Sequence, residues 1–284
     1  MSNEQKETAQ EVESYSADDE SAQFVDMGDD LAAETSHIGP KRGIYLLPNA
    51  ITTANLFAGF FAVMQAMNHR FEWAALAIFA AMVMDGMDGR IARLTKTQSS
   101  FGEQYDSMAD MVSFGMAPAL VMYTYTLHDL GRWGWLAAFI YVAGAALRLA
   151  RFNSNINVVD SRFFQGLPSP AAAALTAGFV WLSVDNRLPI SDSHAWIAFL
   201  ITVYAGLSMI SNAPFFSGKS GFINEKKSPA LLMTVLVLLF ALLMLNAPLV
   251  ITLAFLSYTL SGWVVMYIRW RKAKHLRRQR GRNV

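Results

Sequence analysis

Four aspartates stand in an otherwise apolar stretch over residues 84–118: Asp85, Asp88, Asp106 and Asp110. The first pair is spaced i, i+3 and the second i, i+4, so on helices each pair shares one face. The segment between them, 94–100, is short and polar, and it would turn the second helix back beside the first. All the carboxylates would then converge at one end of a helix pair. An acid at membrane depth costs about 2.5–3.5 kcal/mol even on the lenient insertion scale, and converging anions also repel one another. Bound divalent cations answer both problems. An oxygen-only donor set suits Mg²⁺, Mn²⁺ or Ca²⁺ rather than zinc. Beside a nucleotide, such ions clamp a diphosphate and stabilise a leaving oxygen. Simpler readings compete: pairing with Arg90 or Arg93, snorkelling to the interface, or lining an ion path. They explain one or two acids better than two face-matched pairs. Gly89 and Gly102 either let a flat ligand approach the backbone or serve close helix packing.

The elements that would position these acids are long apolar helices. Of 284 residues, 54% are apolar and 16% charged, against about 45–50% and about 25% in soluble domains. The chain has no cysteine, which excludes a disulfide framework, a zinc finger and a thiol nucleophile. Eight apolar stretches approach the length that crosses a bilayer: 45–67, 72–91, 103–127, 133–153, 169–184, 193–212, 229–247 and 249–268. They predict an all-α integral membrane protein, a polytopic bundle of about eight transmembrane helices. Asn246-Ala247-Pro248 reads as a tight turn between the last two.

Charge sets the domain limits and an orientation. Residues 1–34 hold eleven acids against the single base Lys6, and the segment 1–36 reads as a disordered acidic tail. It lacks the basic start and apolar stretch of a signal peptide. A transmembrane catalytic domain would follow over 37–268, then a basic C-terminal tail over 269–284. With the N-terminus inside, the inner segments carry 19 Lys and Arg, and the outer loops only Arg70, Arg132 and Arg187. This bias puts both termini and the acid cluster on the cytoplasmic side of a cytoplasmic (inner) membrane. The basic end is better read as a topology and headgroup signal than as a nucleic-acid surface, and no nucleic-acid partner is expected.

The run Asp85-Gly86-Met87-Asp88-Gly89-Arg90-Ile91-Ala92-Arg93, then eight residues, Gly102, three residues, Asp106, three residues and Asp110 reproduces D-x2-D-G-x2-A-R-x8-G-x3-D-x3-D without a gap. In this it resembles the CDP-alcohol phosphotransferases. The flanks Ser99-Ser100-Phe101-Gly102, Met111-Val112-Ser113-Phe114-Gly115-Met116-Ala117-Pro118, Arg148-Leu149-Ala150-Arg151-Phe152-Asn153 and Phe164-Gln165-Gly166-Leu167-Pro168-Ser169-Pro170 are similar to those of the branch that uses serine. The resemblance covers roughly residues 44–245. It implies the CDP-alcohol phosphotransferase fold, usually homodimeric, among membrane lipids. It implies transfer of the phosphatidyl group of CDP-diacylglycerol to the hydroxyl of L-serine, giving phosphatidylserine and CMP, with Mg²⁺ or Mn²⁺, two ions, as cofactor. Carried over position by position, Asp85, Asp88, Asp106 and Asp110 would bind metal, and Asp110 would also take the proton of the attacking hydroxyl. Asn49, Thr52, Gly89, Arg93, Ser99 and Gly102 would contact CDP-diacylglycerol.

The serine carboxylate needs a cation, for which arginine offers a planar fork. Arg148 and Arg151 stand at the inner end of the fourth stretch, with Asn153 and Gln165 nearby in sequence, and these are the serine-binding candidates. A topology or lipid-phosphate role for the arginines is the competing reading. Two other functions stay open: the same chemistry with glycerol 3-phosphate or an inositol phosphate, and an acidic-lined channel or transporter. His69, His128, His194 and His275 lack metal-ligand spacing and are expected to do no chemistry.

Overall fold

The computed structural model describes residues 42–95, 99–154, 163–189, 191–216 and 229–280. The acidic tail assigned to 1–36 lies outside the described residues, as do Lys41, Lys96, Arg162, Lys219, Lys226 and Lys227. The chain divides into two compact units, Met1–Leu47 and Pro48–Val284, and of the first only the opening turns of a helix are described.

Every apolar stretch predicted from the sequence is helical. Helix α1 spans Arg42–Met67, α2 Phe71–Thr95 and α3 Ser100–Asp110. Helix α3 runs without a break through a π-helical segment, Met111–Met116, into α4, Ala117–Tyr125. A short 3₁₀ turn, Leu127–Leu130, leads to α5, Arg132–Ser154, followed by α6, Ser169–Asp185, α7, Asp192–Ile210, and α8, Pro229–Arg280. Helix α8 is interrupted at Asn246, whose backbone is extended (φ −158°, ψ 88°). The Asn246 side chain accepts the Leu249 N–H at 2.9 Å, so it caps the second half of α8, and Pro248 falls in that new first turn. Where a tight turn is expected, at Asn246-Ala247-Pro248, the structure has a kink at Asn246 with helix on both sides, and helix continues beyond the bilayer-length stretch to Arg280. Among the described residues, four segments are long and apolar enough to cross a membrane: Pro48–Met67, Arg132–Ser154, Asp192–Ile210 and Met233–Lys272. Helices α2 and α3 carry the acids, and α6 has 17 residues.

Small residues set the packing. Helix α6 is central: every residue from 171 to 180 is buried, four of them consecutive alanines. Helix α2 lays Ala74, Ala77, Ile78 and Ala81 into the same core. Helices α5 and α7 meet backbone to backbone, since a Cβ on Gly144 would lie 2.5 Å from the Gly206 carbonyl oxygen. Such contacts suit helices in lipid, where close approach and dispersion replace hydrophobic collapse. The large apolar side chains point the other way. Phe57 is 64% exposed and Leu200 65%, and nearly all of 233–245 faces outward. A surface this greasy belongs in a bilayer.

At one end of the bundle, two three-residue strands close the loops after α5 and α7. Strand β1 (Phe163–Gln165) pairs antiparallel with β2 (Pro214–Phe216), Phe164 opposite Phe215. Gly166 follows β1 with φ +83°, and a Cβ there would collide with the Met209 carbonyl. Only glycine fits this corner. Its N–H donates to the Ala213 carbonyl (3.0 Å), and the Leu167 N–H donates to the Ser208 carbonyl (3.0 Å).

Candidate active site

Helices α2 and α3 bring the signature acids together. Carboxylate oxygens of Asp85, Asp88 and Asp106 all lie within 4.8 Å of one another. Asp88 is buried, and Asp85 and Asp106 are half-buried. Asp110, one turn after Asp106, stands beside Asp85 and Asp106 but outside this closest trio. Neither Arg90 nor Arg93 forms an ion pair with any of the four, so the simple pairing explanation fails. Among the described residues, the cation whose charge acts on the cluster is Arg148, which faces both Asp85 and Asp110.

The hydrogen bonding leaves a gap of defined chemistry. Asp88 is well supplied: Thr52 Oγ1 lies 3.1 Å from its Oδ2, and the Gly89 N–H donates to its Oδ1 at 2.6 Å. Asp106 Oδ1, by contrast, is buried and has no partner among the described residues. An anionic oxygen shut away from water without a donor is costly. A divalent cation held by Asp85, Asp88 and Asp106 supplies what that oxygen lacks, and the all-carboxylate donor set fits a hard ion. The residues present therefore fit a divalent metal.

Next to the trio a cleft of about 120 Å³ is lined by Asn49, Thr52, Asp88, Gly89, Ser99 and Gly102, among others. Five of the six residues expected at CDP-diacylglycerol thus face one space. Arg93, the sixth, is exposed and turns its Nε–H to the Gly89 carbonyl at 2.9 Å. Ser99 caps α3, accepting the Gly102 N–H at 3.0 Å. A Cβ on Gly89 would meet nothing within 4 Å, whereas one on Gly102 would come to 3.2 Å from Ser99 Oγ. Packing does not demand glycine at 89, where the backbone faces open space.

The four serine candidates separate sharply. Arg148 donates from Nη1 to Ser169 Oγ at 2.6 Å, at the start of α6, and faces Asp85 and Asp110. Arg151 is fully engaged elsewhere. Its Nη1 reaches the Ile210 carbonyl (3.2 Å) and Asn212 Oδ1 (3.0 Å), and its Nη2 reaches the carbonyls of Gln165 (3.1 Å), Ser211 (3.2 Å) and Met209 (3.3 Å). It ties the end of α7 to β1. Asn153 pairs with Ser107, next to Asp106, its Nδ2 donating to Ser107 Oγ at 3.1 Å. Gln165 is exposed on β1.

One residue outside the signature and its flanks belongs here. Asn55 is fully buried on α1, and its Nδ2–H donates to Asp110 Oδ1 at 3.3 Å. A polar stripe, Asn49, Thr52 and Asn55, every third residue of an apolar helix, was the available signal. Ser169 stands within the flank 164–170, and only the fold shows that its hydroxyl accepts from Arg148.

The family model for CDP-alcohol phosphatidyltransferases matches residues 45–211. A CDP-diacylglycerol–serine O-phosphatidyltransferase of Helicobacter pylori is 35% identical over 235 residues, which is 81% of this chain and 96% of the relative. Proteins of the same name from Methanocaldococcus jannaschii and Saccharomyces cerevisiae are 33% and 31% identical, over 61% and 53% of this chain and 75% and 59% of theirs. The signature, the carboxylate trio it folds into and the extent of these matches agree, and the chain belongs to the CDP-alcohol phosphatidyltransferase family.

Proposed function

We propose that this protein transfers the phosphatidyl group of CDP-diacylglycerol to the hydroxyl of L-serine, releasing CMP and phosphatidylserine. The observation that carries the reading is the meeting, at one end of the bundle, of a carboxylate trio, an adjoining cleft and a buried-side arginine facing the acids. The names of the relatives, one of them matched over nearly its whole length, support serine as the acceptor.

In this mechanism Asp85, Asp88 and Asp106 hold the divalent cations, Mg²⁺ or Mn²⁺, with Asp110 at the edge of a second position. Bound there, the ions supply charge neutralisation for the diphosphate and its leaving oxygen. The remaining work belongs to the chain. Asn49, Thr52, Gly89, Ser99 and Gly102 receive the nucleotide end, with Arg93 at the rim. Serine is a weak nucleophile because its hydroxyl is almost never ionised near neutral pH. Asp110 accepts that proton as the serine oxygen attacks the phosphorus bearing the diacylglycerol. A P–O bond to serine forms, the P–O bond to CMP breaks, and the proton rests on Asp110. The lipid tails stay in the bilayer beside the outward-facing apolar side chains. The basic bias of alternate loops supports eight crossings, with both termini and the site on the cytoplasmic side, where CDP and serine are found. Family membership supports a homodimer.

Arg148 is the residue to which we assign the serine carboxylate; Arg151, already engaged by backbone carbonyls, holds the platform behind it. Arg148→Gln is expected to raise the serine KM about 10- to 100-fold, the equivalent of one charge-assisted hydrogen bond, with the KM for CDP-diacylglycerol unchanged. Steady-state kinetics with each substrate varied in turn checks this, and an unchanged serine KM removes Arg148 from the carboxylate. The function itself is tested by CMP release from CDP-diacylglycerol by the purified full chain. Release should require both L-serine and a divalent cation. Release with glycerol 3-phosphate or an inositol phosphate but not serine would keep the chemistry and move the acceptor.

A further inference from the structure

Asn55 is bound twice to the turn that carries Asp110. Its side-chain Nδ2 donates to Asp110 Oδ1 at 3.3 Å, and its backbone carbonyl accepts the Ser113 hydroxyl at 2.9 Å. Both Asn55 and Ser113 are fully buried. The segment between these two contacts is where α3 passes into the π-helical turn, Met111–Met116. Such a turn shifts the helix face by roughly one residue, about 100°. This lets α3 present Asp106 and Asp110 to the site while α4 buries a different face. Two further contacts fix the π turn. The Tyr141 hydroxyl of α5 donates to the Phe114 carbonyl at 3.1 Å. On α1, Gly59 lies against Ser113 so closely that a Cβ would come to 2.6 Å from Ser113 Cα.

The second informative atom is Asn55 Oδ1, which is buried and has no partner among the described residues. Turned the other way, the amide would present its oxygen to the Asp110 carboxylate. The orientation that serves Asp110 therefore leaves an orphan acceptor. An apolar side chain of the same size would remove that orphan but also the donor to Asp110 Oδ1, so what the amide specifically supplies is that donor. Local rules broken at a stability cost are characteristic of functional sites.

We propose that Asn55 is a positioning residue for the reaction: its amide holds one oxygen of Asp110 and so aims the other at the acceptor hydroxyl, while its carbonyl pins the π turn through Ser113. The role rests on Asp110 being the base, as set out under Proposed function. It differs from substrate binding, because Asn55 lies behind Asp110, fully buried and outside the lining of the cleft.

The test uses the full chain in mixed micelles, with kcat, both KM values and the thermal midpoint measured for Asn55→Leu, Asn55→Asp and Ser113→Ala. Asn55→Leu should lower kcat about 100-fold, the scale of a misplaced catalytic group. Both KM values should stay put, and any shift in the thermal midpoint should be too small to account for the loss in kcat. Asn55→Asp, which sets an acceptor where the donor was, should show the same loss in kcat even if the leucine variant fails to fold. Ser113→Ala keeps the amide and should lose less. A kcat within about threefold of wild type in both Asn55 variants would overturn the proposal. So would a raised serine KM at unchanged kcat, or losses that merely track the thermal midpoint. Asp110→Asn run alongside separates the two ideas. If it stays active, the base assignment falls; if it is inactive while Asn55→Leu is active, only the positioning role falls.

Discussion

Asp110→Asn is expected to lower kcat by about 10²- to 10⁴-fold, the range that a positioned general base contributes, with folding preserved. The amide has the carboxylate's shape, and its oxygen can still accept the Asn55 Nδ2–H that now reaches Asp110 Oδ1. What disappears is the ability to take a proton. The substitution also relieves repulsion with Asp85 and Asp106, so the folded state loses a like-charge contact rather than packing. The measurement is CMP release at saturating CDP-diacylglycerol and serine, beside a thermal unfolding curve and a CDP-diacylglycerol binding isotherm. A variant that binds the lipid, melts like wild type and turns over at a third of the normal rate or better would take Asp110 out of the role.

The second large effect concerns the metal. Asp106→Asn replaces the carboxylate whose Oδ1 is buried without a partner. The half-saturating concentration of Mg²⁺ or Mn²⁺ should rise at least the 10- to 100-fold that loss of a mere outer partner of a metal ligand costs. Activity at millimolar Mg²⁺ should fall accordingly. Stability supplies an independent readout. A cation bound only by the folded protein stabilises it by RT ln(1 + [L]/Kd), so adding metal should raise the wild-type melting temperature. In the variant that rise should vanish, while in chelator the variant should melt no lower than wild type, because one of several crowded charges is gone. A variant with the wild-type metal shift would mean that Asp106 is not a ligand. A wild-type protein with no metal-dependent shift or activity would remove the metal from the site altogether.

Much of this was legible in the residues alone. The i, i+3 and i, i+4 spacing of the aspartates, the eight apolar stretches, the alternation of basic loops and the break at Asn246-Ala247-Pro248 are local properties. A helix repeats every 3.6 residues whatever surrounds it, so spacing alone puts side chains on a face. The unbroken signature made the reaction class readable for the same reason, since its residues lie within 26 positions of one another on adjacent helices.

Tertiary structure decided the rest. Arg148 and Arg151 are alike in sequence, one helical turn apart. Only the fold turns Arg151 to carbonyls some 60 residues away and leaves Arg148 facing the acids. Whether a guanidinium is free depends on which distant backbone comes beside it, and no local pattern encodes that. Asn55 sits in an apolar run on α1 and becomes part of the site only because Gly59 lets α1 touch the π turn. The π turn itself, inside what reads as one continuous apolar helix, follows from contacts made by α1 and α5. Which oxygens close to within 4.8 Å was likewise settled by how α2 packs on α6 and by where α3 brings Asp106. Covalent order fixes which side chains share a helix face; the summed packing of small residues between helices fixes which faces meet.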